Sequence, residues 1–538
     1  MEKKMILAVG LSLLILFGFQ VINPKPTRKQ TLPTPSQQTT YDVSSPREGG
    51  ETIKKGLPSK QADQTVEREE TAARLSTEKI DLVFSDIGGS LKEIHIVAEN
   101  DPQGEKELLY LQEDPTKRTF ALRSELLSGL DIAKYDARKG RDFVEYTYVE
   151  KDWLKITKRF SLVSNNNVIE VEVKIENLSS GKRDISYTIV GPGAIQLKDS
   201  VSGRNFLEVN TLIDGKIWKV TKTKEPQARK GPAIWTALKS RYYGLIMRPG
   251  VDAREVVVRG EGQANLLTEL NFGGWALSPG AEVKQESIFY AGPLNEKEIS
   301  SVSQDMAAVV NYGFFGGVSK VLLVILKFYH SLVRNWGISI ILLTLTVNIC
   351  LFPLAVKSFA SMHQMKKIQP HIMKLKELHK DNPQKLNKET MELYKKNNVN
   401  PLGGCLPLLL QMPIFIALYQ GLIRSIELKG ASFLWIKDLA RPDAVPIPVT
   451  LPLIGNSINI LPLLMVVTMA LQQKMTQAST AKDMTEEQKN QQKMMMLMMP
   501  VIFGFMFYNM PSGLVLYWLT NTILMTTGQK IISRRLEA

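Results

Sequence analysis

The C-terminal portion of the chain, residues 313–530, is densely apolar, whereas residues 24–310 are polar and mixed in composition. The average values, 44% hydrophobic residues and a mean hydropathy of -0.08, conceal this division. A helix needs about 20 apolar residues to cross the hydrocarbon core of a bilayer. The division therefore predicts a polytopic α-helical membrane protein that carries a separate polar domain.

The N-terminal segment predicts a membrane anchor. Lys3 and Lys4 precede an apolar run within residues 1–23, and no convincing cleavage site follows it. Positive flanks remain on the cytoplasmic side, so residues 24 onward are expected outside the cytoplasm. Residues 24–77, rich in Pro, Thr, Ser and Gln, lack the apolar content needed for a core and predict a flexible periplasmic linker.

Residues 78–294 show the pattern of a β-domain. Leu154–Phe160 and Ile169–Ile175 alternate apolar and polar residues, the period of half-buried antiparallel strands, and Gly, Asn, Asp and Pro clusters separate further β-rich runs. The chain has only two cysteines, both in or beside apolar segments, so no disulfide framework supports this domain. The expected structure is a periplasmic all-β sandwich with its own core.

Residues 295–335 are expected to form interfacial amphipathic helices, because lysines and a histidine punctuate the apolar residues. A membrane span is the alternative for the second part of this segment. Residues 336–356 form the second span. Residues 357–404 have a strong lysine excess, which marks a cytoplasmic loop, and Asp381-Asn382-Pro383 divides it into a helical hairpin.

Residues 405–530 are long enough for four further spans, and residues 531–538 form a short basic tail. The lysine- and arginine-rich ends all fall on one side of the resulting topology. Six spans with both termini in the cytoplasm are the expected arrangement, five of them in the helical core.

Polar side chains recur inside the predicted spans. Thr344 and Asn348 lie four residues apart and share a helix face, and Gln411 lies in the middle of the next span. The last span contributes Tyr517, Thr520 and Asn521. Such groups either join helices by hydrogen bonds or line a hydrophilic groove within the bilayer. Their recurrence in three spans favours the groove.

Methionines are concentrated on the fourth and fifth spans. Met465 and Met469 lie on the fourth, and Met494 and Met498 on the fifth. Flexible, polarizable side chains pack against many apolar partners, so these residues are candidates for contact with variable client helices. Ordinary packing and lipid contact is the alternative.

No catalytic or cofactor motif stands out. The sequence has no P-loop, no GxSxG, no HExxH and no paired-cysteine metal motif. Three of the histidines, His363, His371 and His379, recur every eight residues in the lysine-rich hairpin, a spacing that drifts around a helix and favours solvated positions over metal ligands. We expect neither a cofactor nor an enzymatic activity.

Several motifs together resemble the YidC-type membrane protein insertases. The stretch NPLGGCLPLLLQMPIF at 400–415 closely resembles a signature of that family, and four other segments match its pattern in order and spacing: Trp336–Ile340, Phe352-Pro353-Leu354, Met499-Pro500-Val501 and Pro511–Tyr517. The large β-domain after a first span is similar to the Gram-negative form of the family.

The resemblance implies an insertase of the bacterial inner membrane that binds nascent membrane proteins in a groove and releases them laterally, alone or with the Sec translocon. It implicates the cytoplasmic hairpin in receiving the client, with Lys366, Lys367 and Lys374 as candidate residues. Membrane lipids and, transiently, the ribosome are further expected partners. No recognition of a specific nucleic-acid sequence is expected.

One position departs from the resemblance. The family usually carries a positive residue, typically arginine, four residues before the Phe352-Pro353 pair, where this chain has Asn348. Asparagine keeps hydrogen-bonding capacity but cannot attract an acidic segment by charge. Electrostatic capture at this position is therefore not expected.

Two other functions compete with the insertase. A solute transporter also places polar residues in the membrane, but it would be expected to show intramembrane ionisable pairs and an internal repeat. An envelope assembly factor would act through the β-domain instead. A nucleic-acid-binding module is a weaker alternative, since the lysine-rich hairpin lacks a pattern of stacking aromatic residues.

Overall fold

The computed structural model describes residues 70–97, 105–163, 167–196, 206–261, 265–380, 382–397, 399, 406–451, 455–478 and 486–537. The predicted anchor at residues 1–23, most of the predicted linker and residues 400–405 of the stretch that resembles the family signature lie outside these residues.

The polar half folds as an antiparallel β-domain of two sheets. The strands are β1 (Ala72–Ser76), β2 (Ile80–Ser85), β3 (Ser90–Val97), β4 (Lys106–Leu111), β5 (Leu122–Arg123), β6 (Asp136–Lys139), β7 (Phe143–Glu150), β8 (Leu154–Leu162), β9 (Val168–Asn177), β10 (Arg183–Gly193), β11 (Glu208–Ile213), β12 (Lys216–Val220), β13 (Gln227–Lys239), β14 (Tyr243–Pro249), β15 (Ala253–Glu261), β16 (Asn265–Leu277) and β17 (Glu282–Pro293). The smaller sheet has the order β1-β2-β3-β4, and the larger sheet has the order β5-β10-β16-β15-β13-β14-β17-β9-β8-β7-β6, with β11 pairing β12 and β13.

The two sheets pack face to face through aromatic side chains. Phe84 of the smaller sheet lies 4.5 Å, between ring centroids, from Phe160 of the larger one. Phe120 contacts Phe160 at 5.3 Å and Phe289 at 5.2 Å. All four rings are buried, and buried aromatic pairs contribute beyond their burial alone. The expected β-sandwich is confirmed, with the predicted strands at 154–160 and 169–175 present as β8 and β9.

The β-domain begins earlier than the composition predicted. β1 lies within the segment assigned to the linker and pairs with β2 along its whole length. Only Leu75 of this strand is buried. The inward side of this five-residue strand has only Ala73, which is partly buried, and Leu75, a pattern too short to be distinguished from a linker sequence.

A buried lysine ties the two sheets together. The Nζ of Lys158, on β8, donates to the carbonyl oxygens of Gly88 at 2.7 Å and Phe120 at 2.8 Å. Phe120 adopts a φ of 70°, a left-handed conformation that is unfavourable for a residue with a bulky side chain. Burial lowers the pKa of Lys158 to about 7. The amino group therefore joins the turns at Gly88 and Phe120 to the larger sheet.

The apolar half is helical. A 3-10 turn at Met306–Val309 follows the first helix, and a hairpin of β18 (Val445–Leu451) and β19 (Gly455–Ile458) precedes the sixth. The helices are α1 (Glu296–Val302), α2 (Gly316–Val333), α3 (Trp336–Leu378), α4 (Pro383–Lys396), α5 (Leu406–Arg424), α6 (Ile460–Ala478), α7 (Glu486–Tyr508) and α8 (Ser512–Glu537).

The predicted second span and the first arm of the hairpin are one continuous helix, α3, which contains Pro353 and Pro370. The predicted break is present: the Asn382 side chain caps α4, and Pro383 is its first residue. The Nε2 of His379 and the Oε2 of Glu389 lie 2.9 Å apart and join the two arms. The two arms therefore contact each other, and the first arm continues from the predicted second span without a break.

Two of the described helical segments are long and apolar enough to cross a bilayer, Gly316–Val333 with a mean hydropathy of 1.4 and Trp336–Met365 with 2.3. Ile460–Lys474 and Met498–Tyr508 are shorter apolar helices. The six-span topology and the interfacial placement of α2 therefore remain predictions.

Candidate functional site

Two hydrogen bonds between side chains join the three helices that carry the predicted polar residues. The Asn348 Nδ2 donates to the Asn521 Oδ1 at 2.9 Å, which links α3 to α8. The Gln411 Nε2 donates to the Tyr517 hydroxyl at 2.6 Å, which links α5 to α8. Tyr517 and Asn521 lie four residues apart, about 6 Å along α8, and so share one face. Helix α8 is the common partner of the site.

Thr344 and Asn348 both bond to a carbonyl of their own helix, α3, but differ in burial. The Thr344 hydroxyl donates to the Ile340 carbonyl at 2.7 Å, and the Asn348 Nδ2 also donates to the Thr344 carbonyl at 2.9 Å. Such bonds satisfy polar groups within their own helix. Thr344 is fully buried, whereas Asn348 is half-buried. Asn348 is therefore the member of this pair that has both accessible surface and a partner on another helix.

The other four predicted groove residues also differ in burial. Tyr517 is fully buried, and its side chain is covered by the surrounding helices. Gln411, Thr520 and Asn521 are half-buried. The structure thus places four of the six predicted groove residues at partly accessible positions and two inside the helix packing.

An aromatic cluster beside Tyr517 was not predicted from the sequence. The Trp518 ring lies 4.8 Å from Phe415, 5.2 Å from Phe507 and 5.7 Å from Phe503, measured between centroids. These rings come from α5, α7 and α8. The sequence feature that could have predicted the cluster is Phe415, which lies one helical turn beyond Gln411 and so on the same helix face. The cluster gives the polar pair Gln411–Tyr517 a rigid apolar support.

The site is neutral. The hydrogen-bonded groups on α3, α5 and α8 are amides and a phenol, which act through dipoles rather than charge. Lys357 is exposed on α3, about 13 Å from Asn348 along the helix axis. Across the described part of the chain, no group of three or more His, Cys, Asp or Glu residues is arranged to hold a metal ion.

The predicted client-contacting methionines occupy two environments. Met465 is fully buried and Met469 is partly buried against the same core. Met494 and Met498, on α7, are 64% and 52% exposed. Only the second pair presents a flexible apolar surface outside the protein interior.

The predicted hairpin lysines lie on the C-terminal part of α3. Lys367 and Lys374 are exposed. The side chain of Lys366 lies outside the described residues. Ile368 and Ile372, on the opposite side of this helix, are buried against Val399. The exposed lysines therefore form the solvent face of a packed hairpin.

Comparison with known proteins gives matches along nearly the whole chain. The family described as "60Kd inner membrane protein" matches residues 328–538, and the family described as "YidC periplasmic domain" matches residues 73–325. A protein of Geotalea uraniireducens (strain Rf4) named "Membrane protein insertase YidC" is 32% identical over 567 residues, covering 100% of both chains.

A protein of the same name from Shewanella baltica (strain OS195) is 34% identical over 485 residues, which cover 85% of each chain. A solved structure described as an "Active YidC insertase crystal structure with the first transmembrane domain resolved" has a TM-score of 0.37 and 21% identity. It covers 86% of this chain and 92% of that one.

Proposed function

The chain belongs to the YidC family of membrane protein insertases, and we propose that its neutral polar site between α3, α5 and α8 receives nascent membrane segments. The observation that carries this proposal is the half-buried Asn348–Asn521 hydrogen bond, which places exchangeable polar groups between two long helices. A client's backbone or hydroxyl group can replace either partner of this bond.

The physical basis of insertion lies in two opposing terms. Moving a hydrophilic tail across hydrocarbon is costly, and a polar site inside the bilayer shortens the apolar distance that the tail must cross. Burial of the client's apolar helix in lipid then supplies the driving force for lateral release. The protein therefore needs no chemical step and no cofactor.

The positive charges lie beside this site, on Lys357 and the hairpin lysines, rather than among its hydrogen-bonded side chains. Asn348 occupies the position where the family usually has a positive residue, so an acidic tail meets cations at Lys357 and at the hairpin residues Lys366, Lys367 and Lys374. The exposed Met494 and Met498 are proposed to contact the client's apolar side chains, with Met465 and Met469 supporting them from inside the bundle.

The proposed setting is the bacterial inner membrane. We propose six spans, cytoplasmic N- and C-termini and a periplasmic β-domain, as the distribution of lysine and arginine predicts. The Sec translocon, membrane lipids and, transiently, the ribosome are proposed partners.

A cleft on the β-domain favours a second candidate function, the binding of envelope partners. Its volume is about 390 Å³, and it is lined by residues that include Arg159, Glu172, Arg248 and Glu286. Charges of both signs suit a peptide segment of another protein. This candidate would make the β-domain, rather than the helices, the centre of activity.

Deletion of residues 72–293, which removes strands β1–β17, separates these functions. Insertion of a single-span client into vesicles is expected to continue at a reduced rate, because the contacts among α3, α5 and α8 remain. The control is the full-length chain reconstituted at the same membrane level. Complete loss of insertion by a correctly inserted deletion variant would favour the assembly factor and contradict the proposal.

A further inference from the structure

One arginine of the β-domain contacts the helical part at two points. Arg241 lies between β13 and β14, where its Nε donates to the Ile423 carbonyl at 2.6 Å and its Nη2 donates to the Ala440 carbonyl at 3.1 Å. The guanidinium also lies over the Tyr242 ring, 4.8 Å from the centroid. Stacking and a planar donor fork hold this side chain in one orientation.

The first of these carbonyls belongs to the end of α5. Ile423 lies in the last turn of the helix, where carbonyl groups lack partners within the helix. A positive donor at a helix C-terminus also interacts favourably with the helix dipole. Arg241 therefore acts as a capping group, provided by another domain, for the helix that carries Gln411.

The second carbonyl belongs to a loop that holds the start of α8. The Ser512 N–H donates to the Arg441 carbonyl at 2.8 Å, and the Gly513 N–H donates to the Leu439 carbonyl at 2.9 Å. These bonds satisfy N–H groups at the beginning of α8, the helix that carries Tyr517 and Asn521. Because Ala440 lies between their two acceptors, Arg241 holds this loop in place.

A second contact supports the same docking. The Lys429 Nζ lies 2.8 Å from the Glu107 Oε1, and the Tyr243 hydroxyl donates to the same oxygen at 2.9 Å. The Lys429 and Glu107 side chains are only 23% and 12% exposed. This charge-assisted contact fixes the segment that follows α5 against β4 and β14, independently of Arg241.

We propose that Arg241 is a positioning residue for insertion, which sets the spacing between the outer ends of α5 and α8 and so the geometry of the Gln411–Tyr517 pair. The proposal rests on the function proposed above for that pair. Ser512 is only about 8 Å along α8 from Tyr517, and Ile423 about 18 Å along α5 from Gln411. Rigid helices transmit a change of spacing over these distances.

Amide hydrogen exchange of the full-length chain in lipid nanodiscs tests the coupling without any client. Arg241→Met keeps an unbranched apolar stem and removes the guanidinium with its donors. The Ser512 and Gly513 amides are expected to exchange roughly tenfold faster, as for the loss of a hydrogen bond to a charged group. Amides of β13 and β14 are expected to exchange at the unchanged rate.

Arg138→Met is the matched control, because Arg138 lies on β6, whose residues are all exposed. Arg241→Lys keeps the positive charge, and its Ser512 and Gly513 amides are expected to exchange at a rate between those of the wild type and the methionine variant. This milder variant tests the coupling even if the methionine variant does not fold. Unchanged exchange at Ser512 and Gly513, or an equal increase in the Arg138 variant, would overturn the coupling.

The rate of single-span client insertion by the same variants provides the second readout. The Arg241→Met protein is expected to insert the client severalfold more slowly than the wild type when equal amounts of the two proteins are present in the membrane. Faster exchange together with a normal insertion rate would refute a positioning role in insertion. It would leave the function of the Asn348–Asn521 site intact, so the two proposals fail separately.

Discussion

Replacing Asn348 with leucine is expected to slow the insertion of a single-span client about tenfold, since a hydrophilic client segment loses a hydrogen-bonding partner worth about 0.5–1.5 kcal/mol in the site and 1.4 kcal/mol corresponds to a factor of ten in rate. The leucine removes the donor to Asn521, and it replaces an amide with an apolar side chain at a half-buried position between α3 and α8. Both changes raise the barrier for a hydrophilic segment.

Arginine at the same position is expected to be tolerated. Its guanidinium supplies several donors for the Asn521 amide oxygen, and a positive residue is usual here in the family that the motifs resemble. The measurement is the initial insertion rate in vesicles, with Ile349→Leu as the control on the neighbouring, 63% exposed position. A normal insertion rate for Asn348→Leu would show that Asn348 has no role in receiving the client.

The second large effect is expected at the Gln411–Tyr517 pair. Gln411→Leu leaves the buried Tyr517 hydroxyl without the amide that contacts it at 2.6 Å. An unsatisfied buried hydroxyl costs about 1–3 kcal/mol. The free energy of unfolding in detergent micelles is therefore expected to fall by about this amount.

Adding Tyr517→Phe to Gln411→Leu is expected to restore much of that loss, because the orphaned hydroxyl is removed together with its partner. Met412→Leu, at the adjacent half-buried position, is the control for a change of similar volume. Strictly additive losses in the double variant would show that the two side chains do not interact.

Local patterns predicted much of the fold. β8 and β9 alternate buried and accessible residues along most of their length, so their period of two was visible in the sequence. β1 was missed because only Leu75 of that strand is buried. The continuity of α3 could not be predicted, because the lysine excess from residue 357 onward marks the end of the apolar run and not the end of the helix.

The sequence indicated which polar residues lie on the helices of the candidate site, but not how deeply each side chain is buried. Thr344 and Asn348 share a helix face, yet one is fully buried and the other half-buried, because burial depends on where α8 crosses α3. The Arg241 contacts join residues separated by 182 and 199 positions. No periodicity or local motif carries information at that distance.

The central claim is that nascent membrane segments contact the polar site between α3, α5 and α8. Site-specific photocrosslinking tests it most directly, with benzoylphenylalanine placed at Asn348, Gln411 or Asn521 and, as an outward-facing control, at Ile349. During translation of a short single-span client, we predict nascent-chain adducts at the three site positions, stronger than at Ile349. Absence of adducts at all three, in variants that reach the membrane, would contradict the account.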